Sequence, residues 1–296
     1  MSYAPHTAYC APARPRAQLW RLALGLVLIA VIYLGLNWAV FAQAQIFGGP
    51  AAFGALRAVA SDTTRPGGAY FILFSFAFLL IAIGVATRLV HARSAAGLIG
   101  PPRLALRQGL RVLAALAILS VAVAVLPPRE LPLEIRPGLP PGLWLTLLPV
   151  SLLAVLIQTG AEEVAFRGYL QQQLGARFAS PAVWIGVPTA LFALLHYAPD
   201  QSGDNAVLVM AWSALFAVAA ADLTARSGTL GPAIALHFFN NAMAILLTSL
   251  DGTMSGLALY VLPMEMTDTA ALRPLMMIDI GILLCSWLAA RLALRV

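Results

Sequence analysis

The sequence predicts an all-α protein: a polytopic transmembrane helical bundle of about eight spans, with both termini in the cytoplasm. Three observations lead there. Hydrophobic residues fill 61% of the 296 positions and charged residues only 10%, with a mean hydropathy of +0.87, which leaves too little polar surface to clothe a soluble domain of this size. Long apolar runs recur along the whole chain. The arginines gather in alternate connections between those runs, as expected of a chain that orients itself across a bilayer.

Residues 1–20, rich in Pro, Ala and Arg, are expected to form a disordered cytoplasmic tail, and 21–296 a single transmembrane domain. The first apolar run, 22–42, is long enough to cross about 30 Å of hydrocarbon at about 1.5 Å per residue, and too long for a signal peptide. Further runs cover 69–90, 112–126, 142–158, 181–195, 207–223, 230–250 and 275–294. The fifth is short and carries Pro188, so a kinked or partly re-entrant piece shielded by protein is expected there. Gly97, Gly100, Pro101 and Pro102 punctuate the connection before the third span, and the proline-rich stretch 127–141 reads as an irregular external loop.

With the N-terminus inside, the inner segments hold thirteen arginines and the outer segments five, namely Arg57, Arg65, Arg129, Arg136 and Arg273. That asymmetry supports eight spans in an integral protein of the cell inner membrane. All 18 basic residues are Arg, giving a net charge of +6. They are dispersed along short connections and form no patch, so nucleic acid is not an expected partner. Cys10 and Cys285 form no CxxC pair, and four histidines leave few ligands for a zinc site.

Polar residues inside the runs carry the functional reading. Glu162 and Glu163 stand at the end of an apolar helix, where carboxylates cost several kcal/mol unless they face the bundle interior or water. Neighbouring helical residues point about 100° apart, so the two cannot share one task. Glu163 lies four residues before Arg167, good spacing for a supporting pair, which leaves Glu162 free for proton transfer. His196 ends the fifth run in Phe192-x-x-x-His196, and His237 and Asn241, four apart, share a face of the seventh. Each feature alone also has a structural reading: His196 a solvated helix end, Glu163 with Arg167 an inward pair, His237 with Asn241 a polar clasp between helices. Asp222 and Asp279 read as interfacial or Arg-paired. Glu162 falls near the inner surface and both histidines fall deeper. A shared site therefore requires the Glu162 helix to continue past Arg167, with 168–178 partly inserted, or the fifth span to begin later.

Taken in order, Glu162-Glu163-x-x-x-Arg167, Phe192-x-x-x-His196 and His237-x-x-x-Asn241 resemble the motifs of the CAAX protease and bacteriocin-processing family of intramembrane proteases. This family, also called the Abi family, includes the Ras-converting CAAX endopeptidases. The resemblance spans about 142–250, the expected catalytic core, and implies peptide-bond hydrolysis by a glutamate-activated water. It implies Glu162 as general base, His196 as the group that holds and polarises the water, and His237 with Asn241 as stabilisers of the oxyanion. Glu163 and Arg167 match the supporting pair. Glu162, His196 and His237 also make a chemically reasonable two-His, one-carboxylate zinc set. The resemblance implies that these residues can act on water without a metal, so no cofactor is expected and zinc is the alternative.

The expected partners are the lipid bilayer and a peptide or membrane-associated protein substrate, of CAAX or peptide-maturation type. Two other classes compete: a proton-coupled transporter using the intramembrane Glu and His, and a catalytically silent membrane scaffold. No paired repeat or matching set of broken spans supports the transporter.

Overall fold

A computed structural model describes residues 3–126 and 134–296. Its helices are α1 (Ala4–Cys10), α2 (Leu19–Ser61), α3 (Pro66–His91), α4 (Pro102–Ala124), α5 (Pro141–Arg177), α6 (Pro181–Leu195), α7 (Ala206–Ser227), α8 (Gly231–Leu247) and α9 (Thr269–Leu294). Six of them, α2, α3, α4, α5, α7 and α9, are long and apolar enough to cross a membrane, whereas α6 and α8 are shorter apolar helices. The chain is therefore an all-helical integral membrane protein. Every apolar run expected from sequence falls on one of these eight helices.

Several boundaries move, each for a local reason. α2 continues beyond 42 to a kink where Gly49 adopts φ 69° and Pro50 restarts the helix, a backbone angle that glycine tolerates without strain. α4 begins ten residues before the expected 112, because Arg103, Arg107 and Arg111 recur every four residues and lie exposed along one face of its first turns. The seventh run, expected as helix to 250, ends at Leu247 and turns into a strand. That strand, β2 (Thr248–Leu250), pairs in parallel with β3 (Tyr260–Leu262), and β3 pairs antiparallel with β1 (Arg136–Pro137). This small sheet was not anticipated. Arg129 and residues 127–133 of the expected external loop lie outside the described residues.

The expected disordered tail is instead ordered helix. α1 is followed by a tight helical turn over Ala11–Arg16, and His6, Tyr9 and Cys10 are buried. The His6 ring stacks on Trp184 with centroids 3.9 Å apart, and the Tyr9 hydroxyl donates to the carbonyl of Leu98. The Gln172 amide in turn donates to the Tyr9 carbonyl at 2.9 Å. Composition suggested disorder because Pro, Ala and Arg offer little apolar surface, yet aromatic and amide groups of other helices supply the burial. Burial pushes the His6 imidazole down to about 4 and the Cys10 thiol up to about 12, so both are neutral near pH 7.

α5 packs against α3 and α8, while α4 packs against α8 and α9. Where α4 meets α8 the backbones approach so closely that a Cβ at Gly231 would run into the Ala105 carbonyl. Small residues at such crossings let transmembrane helices associate through backbone contact. Ala154 and Val155 of α5 pack with Leu73 and Leu246, and Val112, Phe216, Leu223 and Leu236 form a second cluster around α8. The polar residues of α5 and α8 are held between these apolar regions.

Candidate active site

The helix that carries both carboxylates does not stop at its charges. α5 is regular to Glu163, widens into a π-helical stretch over Val164–Gln171, and finishes at Arg177. The helix continues past Arg167, as one of the two expected arrangements has it, and Gly168 to Leu174 are all buried. Its charges do not end it because each finds a partner inside the bundle. Wide turns of this kind re-aim side chains and are frequent at functional sites.

Glu163 and Arg167 are buried, with side chains 0% and 1% exposed, and form an ion pair at 3.0 Å. Arg167 also donates to the Ala217 carbonyl at 3.3 Å, and its guanidinium lies 4.8 Å from the centre of the Phe192 ring. A buried pair needs such additional contacts to offset the loss of hydration. The pairing foreseen from the four-residue spacing is thus present.

The same carboxylate has a second partner. Oε1 of Glu163 lies 2.8 Å from Nδ1 of His237, so Nδ1 carries the proton and donates to it. In the neutral ring this makes Nε2 the acceptor, and Nε2 faces Oε2 of Glu162 at 3.7 Å. Among the described residues Oε2 of Glu162 has no hydrogen-bond partner, whereas Oε1 of Glu162 accepts from the Gln158 amide at 2.7 Å. Two acceptors facing across this distance are matched by a donor of two protons.

Asn241, one turn beyond His237 on α8, donates to Oε1 of Gln158 at 2.9 Å. Glu162, Glu163, Arg167, His237 and Asn241 therefore form one network, which Gln158 completes. His196 is the exception. Its Nδ1 donates to the Phe192 carbonyl at 2.8 Å, and among the described residues it has no hydrogen bond or ion pair to Glu162, Glu163 or His237. It borders the network through Phe192, whose ring is 4.4 Å from that of His196 and 6.3 Å from that of His237. Phe216 also packs on the His237 ring, with centroids 4.7 Å apart.

Among the described residues no three His, Cys, Asp or Glu side chains lie close enough together to hold a metal ion. The Glu162, His196 and His237 set is accordingly not grouped as a metal site in this structure, although the bond from Nδ1 of His196 to a carbonyl leaves its Nε2 free. Asp222 resolves as an Arg-paired residue. It accepts from Arg226 at 2.7 Å, from the Tyr3 hydroxyl at 2.9 Å and from Trp287 at 3.0 Å. Gln158 was missed because it was taken only as the last residue of an apolar run; its four-residue spacing from Glu162 was the available signal.

Comparison with known proteins singles out the stretch that bears this network. Residues 143–243 match the family described as type II CAAX prenyl endopeptidase Rce1-like, which supports placement among the CAAX protease and bacteriocin-processing proteins. A Bacillus subtilis (strain 168) protein, described as uncharacterized protein YyaK, is 31% identical over 98 residues, covering 33% of this chain and 33% of that protein. The match thus spans about a third of that relative's length. No solved structure matches this chain.

Proposed function

We propose that this chain, Rce1-like over residues 143–243, is an intramembrane endopeptidase of CAAX type that hydrolyses its substrate with a water activated by Glu162. The observation that carries the proposal is the approach of Oε2 of Glu162 to Nε2 of His237, 3.7 Å apart beside the buried Glu163–Arg167 pair. A water lodged against both directs its protons at them and its lone pairs outward, towards a peptide carbonyl.

In the reaction the water gives one proton to Glu162 as its oxygen bonds to the carbonyl carbon. The carbonyl oxygen becomes an oxyanion. The carbon–nitrogen bond then breaks, and the proton held by Glu162 passes to the departing amine. Asn241 uses one amide proton on Gln158 and retains a second for the oxyanion. This arrangement favours His237, rather than His196, as the imidazole that holds the water. His196, half-buried beyond Phe192, keeps Nε2 for the substrate. Glu163 and Arg167 fix the His237 tautomer and take no proton.

The substrate is proposed to be a hydrophobic peptide or the C-terminal tail of a membrane-associated protein, reached with both chain termini on the cytoplasmic side. The test is cleavage of a peptide library containing hydrophobic C-terminal tails by the purified protein in liposomes, read by mass spectrometry. Wild-type protein is expected to cut and Glu162→Ala to leave the library intact while remaining folded. Solute or proton flux without any cleavage would overturn the proposal in favour of a transporter.

A further inference from the structure

We propose that Gln158 is a positioning residue that couples the base to the oxyanion donor: its amide transmits the polarity of Glu162 to Asn241. The inference rests on the hydrolytic reading above and concerns a residue outside the three motifs.

The argument is one of donors and acceptors. An ionised carboxylate only accepts, so the group 2.7 Å from Oε1 of Glu162 must be the NH2 of Gln158. With its nitrogen turned to Glu162, the Gln158 amide can present only its oxygen to α8. That oxygen is 2.9 Å from Asn241, which must therefore turn its own NH2 towards Gln158 and its carbonyl away. One proton of this NH2 is used by Gln158, and the other is left to stabilise negative charge. Reversing any member would set two acceptors or two donors against each other, at a cost comparable to an unmade buried hydrogen bond.

Placement makes the relay obligatory in this fold. Gln158 is 8% exposed, one turn before Glu162 on α5, and α5 packs directly on α8. No other side chain bonds Oε1 of Glu162, and Gln158 is the hydrogen-bond partner of the Asn241 amide nitrogen, among the described residues. The carboxylate is thereby held with Oε2, its unbonded oxygen, turned to His237. One side chain thus sets both the rotation of the base and the direction of the oxyanion donor.

Gln158→Met tests this, because it keeps the side-chain length and places an apolar group in a membrane helix, where insertion is favoured. The expected result is a kcat lowered by about tenfold to a hundredfold with KM within about threefold, since the lost contacts act on reacting groups and not on substrate binding. Combining it with Asn241→Ala should cost little more than the worse single variant, because each disables the same unit. Gln158→Glu is a second variant of the same shape. Its carboxyl group can donate to Glu162 only while protonated, so cleavage should be retained in acid and disappear as pH rises, giving an alkaline limb beyond any in wild type. A wild-type kcat in Gln158→Met, multiplicative losses with Asn241→Ala, or a wild-type pH profile in Gln158→Glu would each overturn the inference. Retained cleavage in Glu162→Ala would instead defeat the underlying hydrolytic reading.

Discussion

The two nitrogens of His237 are addressed by adjacent carboxylates of one helix: Nδ1 lies 2.8 Å from Oε1 of Glu163, and Nε2 lies 3.7 Å from Oε2 of Glu162. The first distance is a hydrogen bond that fixes the tautomer. The second is too long for a direct hydrogen bond. Glu163 and Glu162 differ accordingly in burial, with side chains 0% and 14% exposed. The ion-paired carboxylate and the one proposed as the base stand side by side, separated by their rotation about the helix.

That separation predicts opposite phenotypes for the same substitution. Glu163→Gln leaves the guanidinium of Arg167 buried without its counter-charge and should cost about 3–5 kcal/mol of stability. Glu162→Gln, which keeps a side chain of the same shape beside Gln158, should stay within about 1 kcal/mol of wild type. Thermal unfolding in detergent measures both, and equal losses would contradict the assignment.

The docked N-terminal helix predicts a pH dependence. An imidazole in an unfolded chain takes its proton near pH 6.5, whereas buried His6 takes one only near pH 4. Between those values the undocked state binds more protons, so stability is complete above pH 6.5 and declines as pH falls towards 4. His6→Phe preserves a ring against Trp184 and cannot titrate. The unfolding midpoint of wild type should therefore fall more steeply over this window than that of the variant; identical slopes would place His6 in water.

Among the described residues no three His, Cys, Asp or Glu side chains are grouped to hold a metal, which predicts insensitivity to metal removal. Dialysis against a chelator, with metal content measured before and after, should leave cleavage within about twofold of the untreated protein. A loss restored by stoichiometric zinc would mean that His196 joins Glu162 and His237 in a metal site.

How much of this was legible in the sequence depends on whether local spacing sufficed. The Glu163–Arg167 pair and the shared face of His237 and Asn241 follow from four-residue separations on a helix and were readable. The grip of Glu163 on His237 was not, because these residues lie 74 positions apart and meet only once α5 packs on α8. For His196, motif order places it with the other site residues, and the structure adds that its Nδ1 is bonded to the Phe192 carbonyl. α1 was hidden because its burial is supplied by Trp184 and Gln172, far along the chain. Every apolar run falls on a helix, and only in the seventh does a strand end the helix earlier than the run suggests.

The most direct test of the central claim compares single-turnover cleavage by wild type, Glu162→Gln, His237→Ala and the double variant, reconstituted in liposomes with a peptide the wild type cuts. General base catalysis contributes about 10²–10⁴-fold, so each single variant should lose about that much. The double variant should lose little beyond the worse of the two, because neither group holds the water productively without the other. Cleavage by Glu162→Gln within about threefold of wild type, in protein of unchanged thermal stability, would contradict the account.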